Sequence, residues 1–91
     1  MEDLTKLPNI GPTLAEKLNQ IGVTTFADLT GMGSVDAVIR IGQTDRSTCY
    51  NMLYALEGAI RGVRWHAIPK DERVQLKSEF DELIAISNLS K

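Results

Sequence analysis

The sequence predicts an all-α fold, one small bundle of about six helices. Three observations predict it. Apolar residues recur at helical spacing almost everywhere, and the only β-leaning run, "VTTF" (Val23 to Phe26), is too short and too close to a helix start to form a strand. Glycine, proline and short polar residues fall where helices begin and end. The chain has 91 residues, 43% of them apolar, which is too many for disorder and enough for one core, so residues 1–91 form a single domain.

The elements follow in order. A first short helix covers Glu2 to Lys6 and stops before Pro8, because the residue preceding a proline avoids αR. A second runs from Pro12 to Gln20, with proline at the tolerated first position. Leu14, Leu18 and Ile21 line one face, and Gly22 is its left-handed stop. A third starts at Thr24 or Thr25, either of which can cap it, and ends at Leu29 or Thr30, with Gly31-Met32-Gly33 as the break. Ser34 caps a fourth that reaches Ile41, with Asp36 favourable in its first turn and Gly42 at its end. Asp45 caps a long fifth helix from Arg46 to Arg61. Pro69 opens a sixth, with Asp71 and Glu72 in its first turn, reaching Ile86 on a stripe of Leu76, Phe80, Leu83 and Ile84. The tail, residues 87–91, frays.

Composition narrows the functional classes. No apolar run approaches the roughly 18 residues of a membrane span. The N-terminal "MEDLTKLPN" lacks the basic start and apolar stretch of a signal peptide, and the single Cys49 has no internal disulfide partner. These features lead us to expect a cytoplasmic protein. The net charge of −2 and pI of about 5.3 argue against wrapping nucleic acid by bulk charge. The charge is uneven, however. Residues 40–77 carry Arg40, Arg46, Arg61, Arg64, Lys70, Arg73 and Lys77 against Asp45, Glu57, Asp71 and Glu72, a net of +3 flanked by acidic segments. They form either a basic patch or ordinary solvated helix faces.

The break "PNIGP" (Pro8 to Pro12) has the chemistry of a helix-hairpin-helix turn. Asn9 stands where φ > 0 is needed, and asparagine is the non-glycine residue most willing to adopt it. Ile10 is the inward anchor, and Gly11 lets the backbone come close. The helix start beyond it offers unpaired N–H groups and partial positive charge, an anion site that holds phosphate without reading bases. Pro12 removes one of those donors, and Thr13 and Leu14 stand where a cation is usual, with Lys6 and Lys17 as the only local cations. The turn is therefore either a phosphate grip or a tight corner. "LPNIGPTLA" (7–15) and "LTGMGSVDA" (29–37) align at an offset of 22. They form a faint tandem of two such units, or else two unrelated glycine turns. Asp36 makes the second the poorer anion site. The fold expected is thus helix-hairpin-helix-like or SAM-like.

"TCYNMLYALEGAIRGVRWHAIP" (48–69) is the most distinctive segment. Cys49, Leu53, Leu56, Ile60 and Val63 form one apolar stripe, while Ala55, Gly58 and Gly62 lie opposite. Each interior glycine costs a helix about 1 kcal/mol relative to alanine, so a close backbone approach is needed to offset it. The fifth helix is either the centre of the bundle or, through Ala55, Gly58, Gly62 and Trp65, the face of a homodimer or other protein interface. Glu57 and Arg61 form an i,i+4 pair. With one His66 and one cysteine there is no zinc-like ligand spacing. Ser47, Cys49 and His66 make no recognisable catalytic set, and no phosphate-binding loop motif occurs. The expectation is a protein with no catalysis and no cofactor.

"LPNIGPTLAEKLNQIGVTTFADL" followed by "NMLYALEGAIRGVRWHAIP" resembles the C-terminal domain of the TfoX/Sxy regulators of competence for DNA uptake, over about residues 4 to 78. "LYALEGAIRG" (Leu53 to Gly62) is the most specific block. The resemblance implies an all-helical, helix-hairpin-helix-like domain acting beside the cyclic-AMP receptor protein in switching on competence genes, in the cytoplasm and without catalysis. Full-length members of that family carry an N-terminal domain ahead of this one. This chain begins at its own Met1, as a free-standing relative or a fragment. Hairpin physics and the charge map, not the resemblance, nominate Asn9, Gly11, Thr13, Lys17, Arg40, Arg46, Arg61 and Arg64 as nucleic-acid contacts. The alternative expectation is a protein-interaction adaptor with no direct DNA binding.

Overall fold

The computed structural model describes residues 4–43 and 50–89, the side chains of 87–89 excepted. The expectations placed on Asp45, Arg46, Ser47 and Cys49 lie outside the described residues. Among the described residues the regular secondary structure is entirely helical. A 3-10 turn (Leu4–Lys6) precedes α1 (Pro12–Gln20), α2 (Phe26–Met32), α3 (Ser34–Gly42), α4 (Tyr50–Arg61), a second 3-10 turn (Trp65–Ala67) and α5 (Lys70–Leu89). No helix among them is long and apolar enough to cross a membrane.

The boundaries follow local chemistry. α1 and α4 end in the same device. Val23 N–H bonds the Leu18 carbonyl and Gly22 N–H that of Asn19; Val63 N–H bonds Gly58 and Gly62 N–H bonds Ala59. These are the paired bonds of a Schellman motif, in which the residue after the helix must take positive φ. Gly22 and Gly62 do so, at 88° and 76°. α2 begins with a capping box. The Thr25 hydroxyl accepts from Asp28 N–H, while the Asp28 carboxylate accepts from the backbone N–H of Thr25 and of Thr24.

Three expectations are corrected. Gly31 and Met32 are helical, so α2 and α3 are separated by Gly33 alone, which caps the C-terminus of one and the N-terminus of the other. Gly31 lies on the exposed side, where a helical glycine is tolerated. Ser34 is the first residue of α3 rather than its cap, because its hydroxyl donates instead to Glu57 Oε1 at 2.7 Å. Leu83, expected in the apolar stripe of the last helix, is 40% exposed. Twenty residues span about 30 Å, and among the described side chains of α5 only Leu76 and Phe80 are buried, with Ile84 partly packed.

The core lies between α3 and α4. α3 packs against α1, α2, α4 and α5, and α4 against α2, α3, α5 and the second 3-10 turn. α3 is apolar nearly all round, with Ala37, Val38 and Ile41 buried and Val35 and Ile39 partly so, which is the pattern of an enclosed helix. Leu53, Leu56 and Ala59 of α4 are fully buried with Leu18, Val23 and Leu29. The two hairpin units match at the helix entry. Gly11 and Gly33 are the N-caps of α1 and α3, and Ala15 and Ala37 are buried four residues on. They differ at the turn itself, since Asn9 has φ 70° while its counterpart Gly31 lies inside α2.

The capping box yields a pH prediction. Hydrogen bonds from the Thr24 backbone N–H and then its hydroxyl, with Thr25 adding, hold the Asp28 carboxyl below its ordinary value. A carboxyl depressed in the folded state stabilises fully above its unfolded pKa and loses that stabilisation as pH falls through the folded pKa. In urea titrations Thr25→Ala will cost about 1 kcal/mol near neutral pH. The stability gap between the native protein and Asp28→Ala will narrow on acidification below the ordinary aspartate range. A gap constant with pH would contradict the assignment.

Candidate nucleic-acid interface

The hairpin is tied to α4 and the turn that follows it by one side chain. Asn9 Nδ2 donates to the Val63 carbonyl at 3.0 Å and to the Ala55 carbonyl at 3.3 Å, and its Oδ1 accepts from Trp65 N–H at 3.2 Å. The Schellman turn at Gly62 exposes the Val63 carbonyl that Asn9 meets. An asparagine amide has two donor hydrogens, and both are used here. Asn9 therefore shapes this region and leaves no side-chain N–H for an outside anion.

This close approach explains the interior glycine. A Cβ on Gly58 would lie 2.5 Å from Asn9 Nδ2, 2.7 Å from the Val63 carbonyl oxygen and 3.2 Å from Trp65 Cα. The glycine face of α4 is thus covered at Gly58 by the chain's own hairpin and by its own return after Gly62. Gly62 is exposed in that turn, while Ala55 and Trp65 are half-buried.

Between the hairpin and α4 lies an open groove of about 410 Å³. Asn9, Thr13, Leu14 and Lys17 form one side, Asn51, Met52 and Ala55 of α4 another, and Arg64, Trp65 and His66 the third. Lys17 comes to the groove because it is one turn beyond Thr13 on α1. Arg64 comes to it because the second 3-10 turn starts there, with Ala67 N–H bonded to its carbonyl at 2.9 Å. Trp65 is stacked on Tyr54 (centroids 6.0 Å, 22° between planes) and on His66 (3.9 Å, 30°), with the Arg73 guanidinium 5.7 Å from its ring centroid.

The structure brings Asn9, Thr13, Lys17 and Arg64 together with Ala55 and Trp65. Gly11 is exposed beside them as the α1 cap. Arg61 is not among the groove residues. Its Nε meets Glu57 and its Nη1 meets Glu72, each at 2.8 Å. Hydrogen bonds to Glu57 first and Glu72 second raise its already high pKa. Arg40 is exposed in the last turn of α3, and Arg46 lies outside the described residues. His66, Asn51 and Tyr54 were missed by sequence reasoning. The adjacency of His66 to Trp65 was a usable signal; the facing of Asn51 toward α1 was not, since it depends on how the helices cross.

The fold and groove define a class, an all-α helix-hairpin-helix-like domain with a cationic, aromatic-edged cleft beside its first hairpin. The chain belongs to the TfoX C-terminal domain family, whose pattern matches residues 1–80. It is 43% identical over 42 residues to the small ribosomal subunit protein uS2 of Azorhizobium caulinodans, a match covering 46% of this chain and only 12% of that protein. Two crystal structures of proteins from Listeria monocytogenes, each described only as uncharacterized or of unknown function, share its fold. The triclinic form is 40% identical with TM-score 0.84, covering 90% of this chain and 93% of the other. The tetragonal form is 41% identical with TM-score 0.82, covering 88% and 98%.

The packing at Gly58 gives a paired prediction. Overpacking costs about 1–3 kcal/mol, against roughly 1 kcal/mol gained in helix propensity. Two of the atoms facing a new Cβ are backbone, and the third is an anchored amide. Gly58→Ala will therefore destabilise by about 1–2 kcal/mol. Gly31→Ala, in α2 with nothing within 4 Å of a new Cβ, will stabilise by up to about 1 kcal/mol. Equal shifts of the same sign in chemical denaturation would refute the close-packing account.

Proposed function

We propose that this domain is a non-catalytic regulatory module that acts in transcriptional control of competence for DNA uptake, in the cytoplasm, by laying nucleic-acid phosphate in the groove beside its first hairpin. Family membership supports the regulatory setting. The observation that carries the contact is the convergence of Lys17, Arg64 and the start of α1 on one cleft. A helix start supplies N–H groups and partial positive charge, and the two cations supply sequence-independent attraction for a phosphodiester. In this reading Gly11 and Thr13 approach the phosphate, Lys17 and Arg64 neutralise it, and Asn9 holds the wall in place. Occurrence of a related stretch within a protein of the small ribosomal subunit fits a binding role better than a catalytic one. Such contacts position a module without reading bases, so promoter choice falls to a partner such as a cyclic-AMP receptor protein-type transcription factor.

A second reading, a protein-interaction adaptor or homodimer with no DNA contact, rests on a different observation. Val74, Leu83 and Ile86 of α5 are 59%, 40% and 55% exposed, and the net charge is −2. Fluorescence anisotropy of labelled duplex and branched DNA at 50 and 200 mM salt separates the two. The groove reading expects binding that weakens steeply with salt; Lys17→Glu/Arg64→Glu will abolish it, and Arg64→Glu alone, at an exposed position, will weaken it while leaving the thermal melt in place. No binding at 50 mM salt would overturn the groove reading in favour of the adaptor.

A further inference from the structure

Outside the groove, α5 segregates its charge. At about 100° per residue, Lys70, Arg73 and Lys77 fall within one flank roughly 60° wide, while Asp71, Glu79 and Glu82 occupy the opposite flank. Glu72 is engaged by Arg61. Asp81 is the one acid beside the cationic flank among the described residues of α5, and its Oδ1 accepts the Tyr50 hydroxyl at 2.8 Å. Two of the three cations on the flank sit at an aromatic ring. Arg73 lies over Trp65, and Lys77 Nζ is 4.9 Å from the Tyr50 ring centroid. Lys70 lines a second cleft of about 210 Å³ with Tyr54, Arg73 and Val74. Arg73 Nε is buried with no hydrogen-bond partner in the chain, the only such side-chain atom among the described residues.

The second cleft and the groove share a wall. Trp65 lines the groove, Tyr54 lines the cleft, and the two rings are stacked. We infer that the Lys70–Arg73–Lys77 flank of α5 is a second phosphate-contacting surface, and that one nucleic-acid backbone runs from the groove across the Trp65–Tyr54 wall onto α5. This rests on the nucleic-acid reading of the groove and extends it. A phosphodiester polymer carries charge at regular intervals with flat groups between, which is what two cationic clefts on either side of an aromatic wall accommodate. Confining the cations to one flank of α5 also reconciles binding with an acidic chain, because Asp71, Glu79 and Glu82 lie on the side turned away.

The test uses the whole chain and labelled 20-nucleotide DNA, single-stranded and duplex, in anisotropy titrations from 50 to 200 mM salt. Lys70 and Lys77 are exposed, so Lys70→Gln/Lys77→Gln keeps the fold, as a thermal melt will verify. Losing two phosphate contacts will flatten the log–log salt slope by about 1.8 on duplex or about 1.4 on single strands, and weaken binding at 50 mM roughly tenfold or more. The form of DNA bound more tightly identifies the natural geometry. Glu79→Gln/Glu82→Gln, on the opposite flank, will leave the slope unchanged. If the native chain binds and the lysine variant keeps its slope, the α5 surface is overturned and the groove stands. If the native chain does not bind at 50 mM, both fall. Displacement of the DNA by poly-glutamate as effectively as by unlabelled DNA of equal charge would overturn the assignment in favour of an acidic protein partner.

Discussion

Three hydrogen bonds made by one side-chain amide hold the first hairpin against α4 and its exit. The Asn9 side chain reaches across more than fifty residues of sequence to the carbonyl of Val63 and the N–H of Trp65, and it also meets the Ala55 carbonyl on α4. A good deal of the surrounding structure depends on that arrangement. Gly58 has no side chain because the amide occupies the space where one would be. Gly62 takes positive φ because the chain must turn back at once to offer Val63 and Trp65 to the hairpin. The groove lies between the two elements that Asn9 joins, and Trp65 is fixed at its edge. Polar groups half-buried in this way stabilise by about 1 kcal/mol each when paired and destabilise by more when one partner is lost.

The sequence foreshadowed the fold in detail where a single residue decides a local event. Asn9 at positive φ, Pro12 at the first position of α1, Gly22 at its end and Thr25 at the start of α2 are all decisions made within four residues. So was the need for a close approach at Gly58, since an interior glycine is costly wherever it occurs. The partner in that approach was not legible. Nothing in the spacing of Asn9 and Gly58 links them; the link arises from how α4 crosses the hairpin. Ser34 misled for a related reason. By local chemistry it caps a helix, and only the packing of α3 on α4 offers it Glu57 instead. Leu83 misled because a periodic stripe does not say where the neighbouring helices stop.

The candidate site was legible in parts and not as a whole. Thr13, Lys17 and Arg64 were nominated for separate reasons, by turn chemistry and by a charge map, and the fold gathers them beside Trp65. Arg61 shows the opposite outcome. As a basic residue in a basic segment it looked available, yet Glu57 and Glu72 hold it. A count of charges sees the cation and not its partners. The same geometry makes the low pI compatible with binding. What matters to a polyanion is the local arrangement of Lys17, Arg64 and the cationic flank of α5, and opposite charges on the far side of a small domain are screened over about 8–10 Å at ordinary salt.

The most direct test of the central claim is native-state amide hydrogen exchange, read by NMR at Trp65. Its N–H lies outside the α-helices, in a short 3-10 turn, and donates to the Asn9 side chain. If the Asn9 amide holds the domain closed, Trp65 N–H will exchange as slowly as the amides of Leu53 and Leu56 in the centre of α4, and will open only with the whole domain. Exchange at the rate of an exposed turn, with α4 still protected, would show that the hairpin and the α4 exit part readily and that the fold does not depend on this contact.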